Sequence, residues 1–297
     1  MESVAVIGLG IMGGAIARHL VEAGFDVIGC DPSREARRAA EFLGVRIVDA
    51  PGQVPEGAHG IILSLPGFAA AAAVVEELAA LDGPRKVIET STLGLGEKLT
   101  LRDRLAKGGH QTLDCPISGT GRQMQDKDVV LYASGDAADL DRVEPLLQSF
   151  SRRVLKLGPF GNGTRMKLIA NHLVAVHNVA AAEAVLLGME AGFSMETLLE
   201  AIGSGAGNSR MFELRGPNVA DRCYSPAAMK LSLWSKDMEL ITAFVRDLDV
   251  ATPLFDAVAP LYAAALDQGL GDQDTSAVAE ILRGGRAGEL LHKQDGD

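Results

Sequence analysis

Lys167 and Asn171 stand four residues apart, in a stretch that opens on Gly161, Asn162 and Gly163 and then runs to Gly188 without a proline. Glycines ahead of such a run mark the start of a helix, and the spacing projects both side chains from one helical face. An ammonium beside a carboxamide near a helix start, where backbone N–H groups lack partners and the dipole is positive, suits an oxyanion or a carboxylate. By themselves the two also read as a surface lysine and a packed asparagine. What precedes them in the chain favours the chemical reading.

The N-terminal apolar run Val4, Ala5, Val6, Ile7 has the composition of a strand buried on both faces. It ends in Gly8, Leu9, Gly10, Ile11, Met12 and Gly13, followed by a helical pattern through Ile16, Leu20 and Val21 that stops at Gly24. Strand, glycines and helix in that order form a dinucleotide fingerprint: one glycine for the tight turn, one for approach to a pyrophosphate, one for helix packing. A second strand, residues 26–30, ends at Asp31, about twenty residues beyond the fingerprint, where a carboxylate accepts both ribose hydroxyls and repels a 2′-phosphate. Pro32 follows and offers no cation, so NAD is expected over NADP. The competing reading of Asp31 is an N-cap for a helix over residues 33–43.

Alternation continues with strands expected at residues 46–48, 60–65 and 86–89 and an alanine-rich helix over residues 68–81. Strands alternating with helices imply a parallel sheet, whose ligands sit beyond the carboxyl ends of its strands. That singles out Leu65 with Pro66, and Ser91 with Thr92. Strands over residues 111–115 and 129–134 follow, with Ser118, Gly119, Thr120 and Gly121 between them. This turn reads either as a nest of N–H groups and a hydroxyl for a carboxylate or as an ordinary glycine-rich turn. A helix over residues 137–150 and an edge strand over residues 153–156 complete this half.

From residue 163 the strand signals cease, and helical patterns separated by turns indicate an all-helical domain. The expected division is residues 1–162 as a Rossmann dinucleotide-binding domain of α/β class and residues 163–297 as an all-α domain for substrate and oligomerisation. A helix from residue 164 to about residue 190 would be roughly 40 Å long, and its alanine-rich middle, with His177 and Asn178, either leaves a face for a partner subunit or is buried within one chain. Lys236, beside Asp237 in a helical pattern ending near Leu248, either reaches the reacting centre or pairs with a neighbouring carboxylate. Arg210 and Arg215 either bind phosphate or form surface pairs, and His172 lies one position off the Lys167 and Asn171 face.

The chain has 297 residues, enough for two cores, and a net charge of -11 that argues against a nucleic-acid partner. Cys30, Cys115 and Cys223 have no metal-ligand spacing and read as reduced, buried thiols, so no metal and a cytoplasmic location are expected. No basic leader precedes the first strand. His177, Asn178 and Glu183 interrupt the most apolar helix, so a membrane span is not expected. Residues 284–297 read as a mobile tail.

The order of these motifs resembles the β-hydroxyacid dehydrogenase family, the enzymes like 3-hydroxyisobutyrate dehydrogenase and tartronate semialdehyde reductase that are related to 6-phosphogluconate dehydrogenase. The motifs are the fingerprint with Met12, the Leu65 and Thr92 turns, Asp114 to Gly119, the stretch around Lys167, and Lys236 with Asp237. The resemblance implies hydride transfer between NAD and a short 3-hydroxyacid or its semialdehyde by a homodimer or homotetramer. It also implies Lys167 as the general acid and base, aided by a partly dry cleft, with Asn171 orienting it or the substrate. Ser118, Gly119 and Thr120 match the substrate-carboxylate turn, Leu65, Pro66 and Thr92 match cofactor contacts, and Lys236 matches a lysine near the nicotinamide. Departures are Thr120 in place of a second glycine, Ala70 in place of an asparagine, and His172 in place of a second asparagine. A non-catalytic cofactor-binding scaffold and an imine reductase are the alternatives. Lys167, Asn171 and Ser118 together weigh against the first, and Lys167 against the second.

Overall fold

The computed structural model describes residues 2–284. The tail expected beyond residue 284 lies outside the described residues. The chain divides into two compact units, Met1–Lys167 and Leu168–Asp297.

The first unit begins with β1 (Ser3–Ile7), α1 (Ile11–Glu22), β2 (Asp26–Cys30), α2 (Arg34–Phe42), β3 (Arg46–Ile47) and β4 (Ala58–Leu63). It continues with α3 (Phe68–Ala79), β5 (Lys86–Glu89), α4 (Leu95–Lys107) and β6 (Gln111–Asp114). The six strands form one sheet in the order β3-β2-β1-β4-β5-β6, every pairing parallel. Side chains alternate across it: Val4 and Val6 enter one apolar cluster, Ala5 and Ile7 the other. Burial on both faces is why these strands read as unbroken apolar runs. The order reverses between β1 and β4, which sets the carboxyl end of β1 at the switch point of a doubly wound sheet.

The next segments leave that sheet. β7 (Ile117–Ser118), α5 (Gly121–Gln125), β8 (Val130–Ala133), α6 (Ala137–Ser149) and β9 (Arg153–Lys156) follow. They build a separate sheet, β7-β8-β9, with β7 antiparallel and β9 parallel to β8. An isolated bridge between Asp114 and Ser134 is where the chain passes from one sheet to the other. α4 is a helix absent from the expected elements, and Leu101 and Leu105 on its buried face account for it.

α7 (Asn162–Glu190) has 29 residues, about 43 Å at ~1.5 Å per residue. The division into units falls within it. After it come α8 (Met195–Gly203), α9 (Arg210–Asp221), α10 (Leu231–Leu248), α11 (Pro253–Asp267) and α12 (Ala279–Gly284). By length and composition alone α7 could cross a membrane. Its Leu168, Ala175, Val179, Ala182 and Val185 are instead core residues of the second unit. That unit packs Trp234 against Tyr262, ring centroids 6.5 Å apart, and the Tyr262 hydroxyl donates to Ala175 O at 2.9 Å.

Of the three cysteines, Cys30 and Cys115 are buried as expected, whereas Cys223 is exposed, in the segment between α9 and α10. Burial pushes the Cys30 and Cys115 thiols up from their ordinary range.

The α1–β1 contact depends on one missing methyl. A Cβ on Gly13 would lie 1.8 Å from the Gly8 carbonyl oxygen. Gly13→Ala is therefore expected to force α1 off the strand and lower stability by at least ~1–3 kcal/mol, the ordinary range for overpacking. Urea unfolding of the variant checks this.

Candidate active site

At the switch point the three fingerprint glycines have separable reasons. Gly8 sits at φ +90°, and a side chain there would also meet Ser64 O at 2.2 Å. Gly13 is excluded from having a side chain by Gly8. At Gly10, by contrast, a Cβ would meet nothing within 4 Å. The protein's own packing does not demand that glycine, which leaves the backbone there open to close approach. Gly10 is also the N-cap of α1 and provides no side-chain cap, so the positive end of the helix is offered outward beside Leu9, Ile11 and Met12. These residues fit a dinucleotide pyrophosphate.

Asp31 follows directly on β2. Its Oδ2 accepts the Leu9 N–H at 2.7 Å and its Oδ1 accepts the Ser33 N–H at 2.7 Å, so the carboxylate is held against the glycine turn. It is not the cap of α2. Ser33 is, with its hydroxyl accepting from Ala36 N–H at 3.3 Å.

Further along the sheet, the Leu65 N–H donates to Ser91 Oγ at 2.9 Å, joining the turns after β4 and β5. Pro66 and Thr92 lie in these same two turns. The Ser91 N–H donates to Glu89 Oε1 at 3.0 Å. Glu89 Oε2 is in direct ion-pair contact with Lys98 Nζ, which is 3.1 Å from Asp114 Oδ1. All three charged side chains are at most 1 % exposed. Burial alone would push the Lys98 ammonium down, but Glu89 and then Asp114 outweigh it and hold it above its ordinary value. This cluster is absent from the site residues expected from the sequence. Its signal is Lys98 on the same helical face as the apolar Leu101 and Leu105.

Asp114 also meets the start of α7. The Thr164 N–H donates to its Oδ2 at 2.8 Å and the Thr164 hydroxyl to its Oδ1 at 2.8 Å, while the Gly163 N–H donates to Ser134 Oγ at 2.9 Å. Two N–H groups of the first turn are thus taken within the chain. The expectation that unpaired N–H groups at this helix start serve an oxyanion is corrected accordingly: Asp114 and Ser134 cap the helix. Lys167 comes in the next turn, 8 % exposed.

Ser118 ends β7 half-buried, and Gly119 leads from it into α5. Thr120, at the position of the second glycine, caps α5. Its hydroxyl accepts from Gln123 N–H at 3.3 Å, and Gln123 Oε1 accepts from Thr120 N–H at 3.0 Å. Met124, on α5, is fully buried in the core of the first unit.

In the second unit, the Asn171 amide Nδ2 donates to Asp237 Oδ2 at 2.9 Å, both residues being buried. Lys236 is the half-buried neighbour of Asp237 on α10. His172 stacks on Phe255 with ring centroids 5.2 Å apart. Phe212 and Trp234 are core residues. Arg215 is neither a phosphate ligand nor a surface pair: it is buried and donates to Asp274 Oδ2 at 3.0 Å. Arg210 forms the exposed pair, with Glu213.

A dinucleotide turn at the switch point of a parallel sheet, with an acidic residue directly after the next strand, makes the first unit a dinucleotide-binding domain. Residues 3–158 match the family described as the NAD binding domain of 6-phosphogluconate dehydrogenase. Residues 161–282 match the one described as NAD-binding of NADP-dependent 3-hydroxyisobutyrate dehydrogenase. An L-threonate dehydrogenase of Cupriavidus necator is 31% identical over 95% of this chain and 97% of its own. The chloroplastic glyoxylate/succinic semialdehyde reductase 2 of Arabidopsis thaliana is 27% identical over 97% of this chain and 81% of its own. The solved 3-hydroxyisobutyrate dehydrogenase of Mycobacterium tuberculosis with L-serine superposes with a TM-score of 0.86, at 28% identity, over 95% of this chain and 99% of that one. The chain belongs to the β-hydroxyacid dehydrogenase family.

Proposed function

We propose that this protein catalyses reversible hydride transfer between NAD and a short 3-hydroxyacid or its semialdehyde, with Lys167 as general acid and base. The observation that carries the reading is the pair on α7: Lys167, buried, and Asn171 one turn on, its carboxamide fixed by Asp237. NAD, when bound, supplies the hydride acceptor. Gly8, Leu9, Gly10, Ile11, Met12 and Gly13 would hold its pyrophosphate and Asp31 its ribose hydroxyls, Leu65, Pro66 and Thr92 would contact the cofactor, and Lys236 would lie near the nicotinamide. In oxidation Lys167 Nζ takes the hydroxyl proton, and in reduction it returns a proton to the carbonyl oxygen. Asn171 orients the lysine or the substrate hydroxyl, and the Ser118, Gly119 and Thr120 turn holds the carboxylate. The names of the relatives, a threonate dehydrogenase and a hydroxyisobutyrate dehydrogenase among them, support a substrate of this size and charge.

The reading includes a cytoplasmic location and a homodimer or homotetramer, the assembly supported by the apolar Met166, Ile169, Leu173 and Leu187 exposed along α7. Light scattering on the purified protein measures this.

The test is absorbance at the NADH band with NAD or NADP and 3-hydroxyisobutyrate, threonate, glycerate or 3-hydroxypropionate. NAD-linked turnover with any of them is expected. Silence across the panel, with NAD still binding in a calorimeter, overturns the reading. Asp31 carries the cofactor preference, because its carboxylate is anchored at two N–H groups and held in place against a 2′-phosphate. Asp31→Asn is expected to shrink the NAD:NADP ratio of kcat/KM by about tenfold, equivalent to ~1.4 kcal/mol. An unchanged ratio removes Asp31 from cofactor choice.

A further inference from the structure

We propose that Lys98 is a positioning residue for the reaction: its ammonium, clamped between Glu89 and Asp114, ties the first turn of α7, and through it Lys167, to the turn that carries Ser91 and Thr92. The inference rests on the reading of Lys167 as the general acid and base.

A continuous run of polar contacts carries it, every member within the first unit. Leu65 N–H donates to Ser91 Oγ at 2.9 Å, and Ser91 N–H to Glu89 Oε1 at 3.0 Å. Glu89 meets Lys98, and Lys98 meets Asp114 at 3.1 Å. Asp114 accepts both the N–H and the hydroxyl of Thr164 at 2.8 Å, one turn before Lys167. Ser134 adds a donor to Asp114 Oδ2 at 3.2 Å and accepts the Gly163 N–H. The turn after β5 and the start of α7 are thus joined through a single buried cation.

Packing alone does not explain this arrangement. Buried ion pairs are commonly matched or bettered in stability by apolar residues of similar volume. What an apolar trio cannot do is accept hydrogen bonds from Ser91 and Thr164 at once. For that, Glu89 and Asp114 must both present acceptor oxygens, and two neighbouring carboxylates repel each other unless a cation lies between them. The cluster then carries one net negative charge, set against the positive end of the α7 dipole. Without the lysine one acid takes up a proton. A protonated Asp114 gives up an acceptor position, and the first turn of α7 loosens.

Lys98→Met tests this on the full chain, by amide hydrogen exchange and by the pH profile of kcat. The Gly163 and Thr164 amides are expected to exchange at least about tenfold faster than in the wild type. Turnover at neutral pH should fall about tenfold with KM for NAD little changed, and the acid limb of the profile should move up by about one pH unit as a carboxyl now titrates. The groups facing that carboxyl are Glu89 or Asp114 itself and the Cys115 thiol. Adding Glu89→Gln removes the repulsion, so the double variant should regain protection at Thr164 and bring the limb back.

Wild-type exchange at Gly163 and Thr164 in Lys98→Met overturns the proposal. So does a loss of turnover with an unmoved limb and no recovery in the double variant, which would mean loss of packing only. If Lys98→Met does not fold, Asp114→Asn keeps the Lys98–Glu89 pair and sets an amide against Thr164. Unchanged exchange there is equally decisive against the proposal. The exchange measurement needs no substrate, so a wild type inactive with every hydroxyacid would sink the Lys167 reading while still judging Lys98.

Discussion

Lys167→Ala is expected to lose hydride transfer by about 10²- to 10⁴-fold, the usual worth of general acid–base catalysis, while NAD still binds. The separation follows from where the groups sit in the chain. The residues proposed to hold the pyrophosphate and ribose belong to the β1–α1 turn and to Asp31, and Lys167 is not among them. Nor does the substitution disturb the helix, since the first turn of α7 is capped by Asp114 and Ser134 and alanine is the best helix former. Steady-state rates with the best hydroxyacid, with NAD titrated calorimetrically, check the prediction. Lys167→Arg should not rescue oxidation, because a guanidinium does not give up its proton to become a base. Near-wild-type turnover in the alanine variant would take the lysine out of the mechanism.

Arg215→Met is expected to destabilise the second unit by about 3 kcal/mol, at the low end of the range for breaking a buried ion pair. Asp274, fully buried, is the hub of that unit's polar interior. Its Oδ2 accepts from Arg215 and from the Ala228 and Met229 N–H groups, and its Oδ1 from the Ser276 N–H and hydroxyl. Removing the guanidinium leaves a buried carboxylate with those other donors, which is why the low end applies. The exposed pair between Lys230 and Asp272 provides the contrast: Lys230→Ala should leave the melting temperature where it was, as solvent screens that pair. Trp234 is the chain's one tryptophan and is buried in this unit, so urea unfolding followed by its fluorescence reports the unit concerned. Equal midpoints for Arg215→Met and the wild type would contradict the account.

The parallel sheet is legible in the sequence because its strands are buried on both faces and punctuated by glycine. β2, β5 and β9 fall on the expected residues, and α10 ends at Leu248 as its pattern indicates. What local pattern does not contain is pairing. Nothing in residues 111–156 announces that β7, β8 and β9 desert the parallel sheet for one of their own, since each strand looks the same whichever neighbour it takes. The same limit applies at the site. Lys167, Asn171 and Asp31 stand out by residue type and spacing. The partners that hold them do not, because Asp114 caps α7 from 50 positions away and Asp237 takes Asn171 from 66. α4 went unread because a lysine on its apolar face breaks the amphipathic pattern. That break is itself the trace of the buried cluster, for a charge on an inward face needs partners.

The three cysteines divide the protein's exposure to thiol reagents. Thiolate is the form that reacts, and burial keeps Cys30 and Cys115 as thiols away from solvent, the latter directly after Asp114. Cys223 stands exposed in the other unit. A maleimide therefore finds one cysteine per chain, outside the set of residues assigned to the chemistry. Oxidation can join two chains through that sulfur, but the sulfur beside the charged cluster is kept out of the exchange.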